Sequence, residues 1–128
     1  MQQGICNVAI DTALAGKPFT VWGNGMTRKD YIYVGDFLKI LFLLVRKNVF
    51  GEVFNIGSGH LASVNEILHI VKKNVPDFEW TYSDSMQNDV AQFELDTSKL
   101  RQVIGEYEFL GLEEGIRRVF DWKEGKNG

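Results

Sequence analysis

The most constraining feature of this sequence is a helical segment that is apolar on nearly every side. Between Phe37 and Val45, eight of nine residues are apolar, and only Lys39 interrupts the run. We expect Asp36 to cap this helix, because a short carboxylate accepts hydrogen bonds from the amides of a first turn, and we expect the helix to continue to about Lys47. A helix without a polar face has to be covered on more than one side. A chain of 128 residues builds one sizeable core, so one side of the helix is predicted to be bare.

The rest of the chain alternates between helical and strand patterns, which is typical of an α/β fold. Ser63 and Glu66 form an S-x-x-E capping box, which predicts a helix that begins after Ser63 and ends before Pro76. Asp96 is predicted to cap the helix that follows it. The other predicted helices cover residues 7–15, 97–104 and 112–123. The predicted strands cover residues 19–22, 31–34, 52–56, 78–82 and 91–95, with a surface loop at 83–89.

Charge, cysteine usage and hydropathy exclude several classes of partner. Lys and Arg total 14 against 17 Asp and Glu, so the chain has no basic stripe, and we expect no nucleic-acid partner. The single cysteine, Cys6, cannot form an internal disulfide, which favours a reducing, cytoplasmic location. The longest apolar stretch is about half the length that spans a bilayer, so we expect no membrane segment.

Searches for a self-contained catalytic site find no pattern. The sequence has no G-x-G-x-x-G dinucleotide fingerprint, no P-loop and no Y-x-x-x-K pair. His60 and His69 have no cysteine nearby, so we predict no metal site, and Cys6 is interpreted as a core residue. Glu113 and Glu114 lie in a predicted first turn, where the helix dipole accounts for them. We therefore predict no catalytic residue in this chain.

A glycine-flanked loop offers the best candidate binding site. Gly23-Asn24-Gly25 is followed by Arg28 and Lys29, so backbone amides and two cations are predicted to lie close together, as a phosphate or diphosphate requires. The alternative interpretation is a solvated turn whose cations pair with the neighbouring Asp30. The residues of this loop alone leave both interpretations open.

Five motifs in a fixed order carry a family resemblance that covers residues 4–122. They are G-N-G followed by K-D-Y-I-Y-V, then V-F-N-I-G-S-G, S-V-N-E-I, D-T-S-K-L and L-E-E-G-I-R-R-V-F-D-W. Their order resembles the C-terminal half of NAD-dependent sugar-nucleotide epimerases and dehydratases. These enzymes are extended short-chain dehydrogenase/reductases and include UDP-glucose 4-epimerase-like proteins.

In such enzymes a Rossmann half holds NAD and the catalytic tyrosine and lysine, while the C-terminal half closes over the nucleotide-sugar. The resemblance therefore implies that this chain is the α/β, substrate-binding C-terminal portion, with the Rossmann half absent and residues 1–128 forming a single domain. It implies NAD in the complete enzyme and none bound by this chain alone. The implied partners are a nucleotide-sugar, which we expect to be a UDP-sugar, and the missing Rossmann half.

The resemblance also implies a set of substrate-binding residues: Phe19, Val21, Trp22, Arg28, Lys29 and Tyr31. Residues 19–22 would run beside the nucleoside base, and Lys29 occupies the position of an arginine that contacts the diphosphate. An ammonium group is a point charge and cannot make the bidentate contact of a guanidinium, although Arg28 offers a substitute. Two further departures are Met86, at the position of the second phosphate arginine, and Gly35, where the family has an aspartate.

Two other functions remain open at this point. The chain could be a non-catalytic module for nucleotide-sugar binding or protein association, or a structural remnant that binds no ligand. The missing Rossmann half would normally cover the apolar helix and the strand that ends at residues 55–58. Without that cover we predict that the isolated chain forms a homo-oligomer, because a large exposed apolar patch is rare on monomers.

Overall fold

The computed structural model describes residues 4–49, 51–83, 92–93 and 95–125. Helices and strands alternate along the chain, as the sequence predicts. The helices are α1 (Ile5–Leu14), α2 (Val34–Arg46), α3 (Val64–Asn74), α4 (Ser98–Ile104) and α5 (Leu112–Lys123). The strands are β1 (Phe19–Trp22), β2 (Arg28–Asp30), β3 (Leu61–Ser63), β4 (Trp80–Ser83) and β5 (Gln92–Phe93).

The described strands form two small sheets. In the first, β1 and β4 are parallel, with Val21 opposite Tyr82 and Trp22 opposite Ser83. In the second, β2 lies between β3, to which it is antiparallel, and β5, to which it is parallel. Because β1 leads into β2 through residues 23–27, that connection joins the two sheets.

A main core fills the space between α1, α3, α5 and the first sheet. Its apolar side chains come from the inward face of each element, as the helical and strand periodicities predict. Its buried members are Ala9, Ile10, Ala13, Phe19, Val21, Ile67, Leu68, Val71, Phe78, Ile116 and Phe120. A smaller second core joins α2 to α4 through Ile40, Leu44 and Leu100.

The capping box of α3 is confirmed. The Ser63 hydroxyl accepts from the Glu66 amide at 3.2 Å, and the Glu66 carboxylate accepts from the Ser63 amide at 3.4 Å. The reciprocal pair satisfies two amides that would otherwise lack a partner. The helix ends at Asn74, two residues before Pro76.

One side of α2 is left exposed by the described residues, as its apolar sequence predicts. Ile40 and Leu44 are buried against the second core, whereas Phe42 is 62% exposed. We call the exposed residues the α2 apolar face: Val34, Phe37, Leu38, Leu41, Phe42 and Val45.

Asp36 does not cap α2, contrary to the sequence prediction. The helix begins at Val34, with Tyr33 at the N-cap, so Asp36 lies inside the first turn. The residue is only 5% exposed, and its carboxylate accepts from the Tyr107 hydroxyl at 2.9 Å and from the Leu110 amide at 2.8 Å. The side chain therefore holds α2 to the segment before α5, because these distant donors satisfy a carboxylate that the core would otherwise leave without partners.

Two predicted strands are wrong. The prediction at 31–34 places a strand too late, because the ladder with β3 ends at Asp30 and α2 begins at Val34. Residues 52–56 form no strand, because the described chain provides no neighbouring strand. Side chains bond to this region instead, with Lys99 Nζ donating to the Val53 carbonyl at 3.1 Å and the Asn55 amide donating to the Asp96 carbonyl at 3.1 Å.

The prediction for Asp96 is also wrong in its details. Thr97 is the N-cap of α4, and Asp96 accepts from the Ser98 amide and hydroxyl at 3.0 and 2.7 Å. Of the strand predicted at 91–95, the structure shows Gln92–Phe93. The predicted loop at 83–89 lies, apart from Ser83, outside the described residues.

Candidate functional site

The candidate site begins where β1 ends in the G-N-G loop, residues 23–27. Gly23 and Gly25 have φ values of 98° and 71°, a backbone region that side chains other than glycine rarely adopt. A Cβ atom at Gly25 would overlap Asn65 Oδ1. Both glycines are therefore needed, for the turn itself and, at Gly25, for the close approach to α3.

The three site residues predicted on β1 fall on two sides of the strand. Phe19 and Val21 are buried in the main core. Trp22, on the opposite face, is 68% exposed. Of these three side chains, the structure leaves only Trp22 available to a ligand.

The two cations of the predicted phosphate site occupy adjacent positions in β2, and adjacent strand residues project to opposite faces. Arg28 is half-buried, and its Nη2 donates to the Leu61 carbonyl at 3.2 Å. The Arg28 Nε is also buried and has no partner among the described residues. Lys29 is exposed. The structure does not bring the two cations together on one face.

Asp30 holds the second glycine loop of the site, residues 57–59, a role that the sequence analysis missed. Its carboxylate accepts from the Ser58 amide at 3.0 Å, from the Ser58 hydroxyl at 2.7 Å and from the Gly59 amide at 2.8 Å. A Cβ atom at Gly57 would lie 2.8 Å from the same carboxylate. An aspartate followed at long range by G-S-G is the signal that could have predicted this contact.

Tyr31 lies between two grooves on the chain. One groove, of about 670 Å³, runs between residues 57–62 and 104–112, and the other, of about 600 Å³, runs between α1 and α5. Burial and, to a lesser extent, the nearby Cys6 together raise the pKa of Tyr31 to about 12. Burial also raises the pKa of Cys6 to about 11, so this half-buried residue is a neutral thiol that packs against the main core.

The remaining candidate residues have structural partners. The ring of exposed His69 meets Trp80 edge-on at 5.1 Å between centroids. In the part of the chain that the structure describes, no three His, Cys, Asp or Glu residues are grouped as a metal ion requires. Glu114 pairs with two arginines one turn along α5, and its hydrogen bond to Arg117 holds the pKa of the carboxyl at about 2. Met86 lies outside the described residues.

Comparison with known proteins places these features in a family context. Residues 2–57 match the model of the NAD dependent epimerase/dehydratase family. A putative UDP-glucose 4-epimerase from Methanocaldococcus jannaschii is 33% identical over 98% of this chain and 41% of its own length. A dTDP-glucose 4,6-dehydratase from Escherichia coli is 33% identical over 86% of this chain and 34% of its own length.

Solved structures show the same relationship. A UDP-glucose 4-epimerase from Thermotoga maritima, crystallised with UDP-glucose, has a TM-score of 0.82 and 26% identity over 98% of this chain and 41% of its own. A NAD-dependent NDP-hexosamine 5,6-dehydratase involved in tunicamycin biosynthesis has a TM-score of 0.82 and 28% identity, over 97% of this chain and 40% of its own. The chain thus spans about 40% of the length of these structures. No described helix has the length and apolar character needed to cross a bilayer.

Proposed function

The chain is a relative of the NAD-dependent epimerases and dehydratases, with the fold of their C-terminal portion, and we propose that it binds a nucleotide-sugar, specifically a UDP-sugar, as one domain of such an enzyme. The observation that carries this proposal is the fold similarity, over nearly the whole chain, to an epimerase crystallised with UDP-glucose. A cytoplasmic location is part of the proposal and is supported by the single cysteine, which cannot form an internal disulfide.

In this proposal the nucleoside lies beside the end of β1. The exposed indole of Trp22 offers a flat apolar surface to the base, while Phe19 and Val21 fix the strand from the core side. Lys29 contributes a point charge to the diphosphate, and Tyr31 lines the adjoining grooves. Arg28 contributes by holding β2 to Leu61, since its guanidinium already donates there.

The residues present do not fit NAD. A dinucleotide site needs a glycine-rich turn between a strand and a helix, with the diphosphate at the helix N-terminus. Here the G-N-G loop joins two strands, and the sequence has no G-x-G-x-x-G. We therefore assign NAD and the chemical step to a Rossmann portion of the complete enzyme, and this chain to substrate binding and orientation.

Calorimetric titration with UDP-glucose and dTDP-glucose tests the binding proposal. We expect UDP-glucose to bind, and Lys29→Ala to lose about 1.5 to 3 kcal/mol of binding free energy, the contribution of a charge-assisted contact. Lys47→Ala, which removes an exposed lysine at the far end of α2, is the matched control. No binding of either nucleotide-sugar would refute the proposal, and an unchanged Kd in Lys29→Ala would remove Lys29 from the site.

The second candidate function is a protein-interaction module, and the α2 apolar face favours it. In the complete enzyme we propose that the Rossmann portion covers this face, and that in isolation a second copy does so, because identical patches can face each other around a two-fold axis. Sedimentation velocity should show a dimer at tens of micromolar protein. Leu38→Glu should shift it to monomer, whereas Leu14→Glu, at an exposed site on α1, should not. A monomeric unsubstituted chain would contradict self-association.

A further inference from the structure

Asn65 connects three elements that surround the candidate nucleoside site. Its side-chain amide donates to the Asn24 carbonyl at 3.1 Å, and its backbone amide donates to the Gly25 carbonyl at 3.1 Å. Its side-chain oxygen accepts from the Tyr82 hydroxyl at 2.7 Å. One residue at the start of α3 thereby holds both the G-N-G loop and strand β4.

The capping box fixes the position of Asn65 itself. Ser63 and Glu66 close the first turn of α3 around it, and the Val64 amide donates to the Thr27 carbonyl at 3.3 Å. The backbone amides of Val64 and Asn65, which have no partner within the helix, therefore donate to carbonyls of the G-N-G loop. Gly25 lies directly against the Asn65 side chain, with no room for a Cβ atom. These contacts hold the G-N-G loop in one position against the start of α3.

Tyr82 extends the same network to the strand pair that carries the exposed indole. It stands opposite Val21 in the parallel ladder, next to the pair formed by Trp22 and Ser83. Its hydroxyl also accepts from the Trp80 ring nitrogen at 3.2 Å. The hydroxyl is thus held from both sides, by Trp80 as a donor and by Asn65 as an acceptor.

We infer that Asn65 is a positioning residue for nucleotide binding, which keeps the G-N-G loop in the conformation that presents Trp22 to the base, with Tyr82 as its support. This inference rests on the proposed function. A ligand that binds only one loop conformation loses apparent affinity in proportion to the fraction of chains outside it. Loss of the Asn65 side chain frees the Asn24 carbonyl and the Tyr82 hydroxyl at once, so it should lower that fraction.

The test uses the 128-residue chain, UDP as the probe, and four variants. Asn65→Ala removes the contacts to Asn24 and Tyr82, whereas Asn65→Asp keeps the acceptor for Tyr82 and loses the donor to Asn24. Tyr82→Phe removes the Tyr82 hydroxyl and leaves the contact between Asn65 and Asn24 in place. The matched control is Asn74→Ala, on the same helix, where the side chain donates to the Ile70 carbonyl of its own helix.

Calorimetry gives the Kd, and ¹⁹F NMR of the chain labelled with 5-fluorotryptophan reports the environment of the indole. The Trp22 resonance is assigned by its loss in Trp22→Phe. Trp122, 71% exposed at the far end of α5, provides an internal reference. A purely structural role would lower the unfolding temperature without moving the Trp22 signal or the Kd measured well below that temperature.

We expect Asn65→Ala and Asn65→Asp to weaken UDP binding about tenfold and to shift or broaden the Trp22 resonance. Tyr82→Phe should have a smaller effect in the same direction, and it preserves the test if the Asn65 variants do not fold. Asn74→Ala should match the unsubstituted chain. An unchanged Kd and Trp22 signal in folded Asn65→Ala would overturn this inference alone. Absence of UDP binding by the unsubstituted chain would instead overturn the proposed function, and the binding role of Asn65 with it.

Discussion

Replacement of Asp36 by alanine should destabilise the chain severely. Its buried carboxylate accepts two hydrogen bonds, from the Tyr107 hydroxyl and the Leu110 amide. Hydrogen bonds to a charged group contribute about 1.5 to 3 kcal/mol each. Favourable interaction with the N-terminal end of the α2 dipole adds a few tenths of a kcal/mol.

The variant leaves both donors without their partner in a half-buried environment. We therefore expect Asp36→Ala to lose about 3 to 5 kcal/mol, a large share of the roughly 5 to 15 kcal/mol typical of a single domain. Tyr107→Phe removes one contact and leaves Asp36 bonded to Leu110, so its expected cost is about 1.5 kcal/mol. In the Asp36→Ala background the same change should cost almost nothing, because the hydroxyl has already lost its acceptor.

Urea-induced unfolding followed by circular dichroism measures the unfolding free energy of all four proteins in this double-mutant cycle: the unsubstituted chain, the two single variants and the double variant. Asp77→Ala, at an exposed site before β4, is the control for loss of an aspartate and should change the unfolding free energy by less than about 0.5 kcal/mol. A loss below about 1 kcal/mol in Asp36→Ala, or strictly additive costs for Asp36 and Tyr107, would refute the reasoning.

Two further predictions concern stability. Ser63→Ala should cost about 1 kcal/mol by removing the α3 cap, and an unchanged melting temperature would show that Glu66 alone satisfies the helix end. Burial raises the pKa of Cys6 to about 11, so the folded state favours the neutral thiol. The resulting contribution to the unfolding free energy is complete below the ordinary pKa of 9.0 and is lost as the pH rises to 11. Stability should fall by about 2 kcal/mol more in the unsubstituted chain than in Cys6→Ala across that interval, and equal slopes would contradict the burial argument.

The sequence correctly predicted those elements whose bounds depend only on residues close together in the chain. The bounds of α5 and β1 agree with their periodicity, and the α3 cap follows from two residues three positions apart. The roles of Asp30 and Asp36 depend on donors 28 to 74 residues away, which no local pattern encodes. Residues 52–56 have strand-forming side chains and no partner strand in the described chain, so propensity alone did not decide their structure.

The tight turn at the G-N-G loop was predictable from the sequence, and the contacts that surround it were not. The motif order located the G-N-G loop, and the glycine spacing indicated a tight turn. The predicted strand began at residue 31, three residues after the start of β2. Arg28 and Lys29 were therefore not recognised as adjacent strand residues, which project to opposite faces and cannot both face one ligand. The role of Asn65 depends on the meeting of α3 with the loop, which only the tertiary structure brings about.

The unequal size of the two cores implies that the two parts of the chain differ in local stability. The main core gathers eleven of the described buried apolar residues, from three helices, the first sheet and the turn before β4, whereas the second core gathers three. Segments with few buried contacts open at lower free energy than the global unfolding transition. The layer formed by α2 and α4 should therefore exchange its amide hydrogens first, as a separate cooperative unit, and its protection should rise when a partner covers α2.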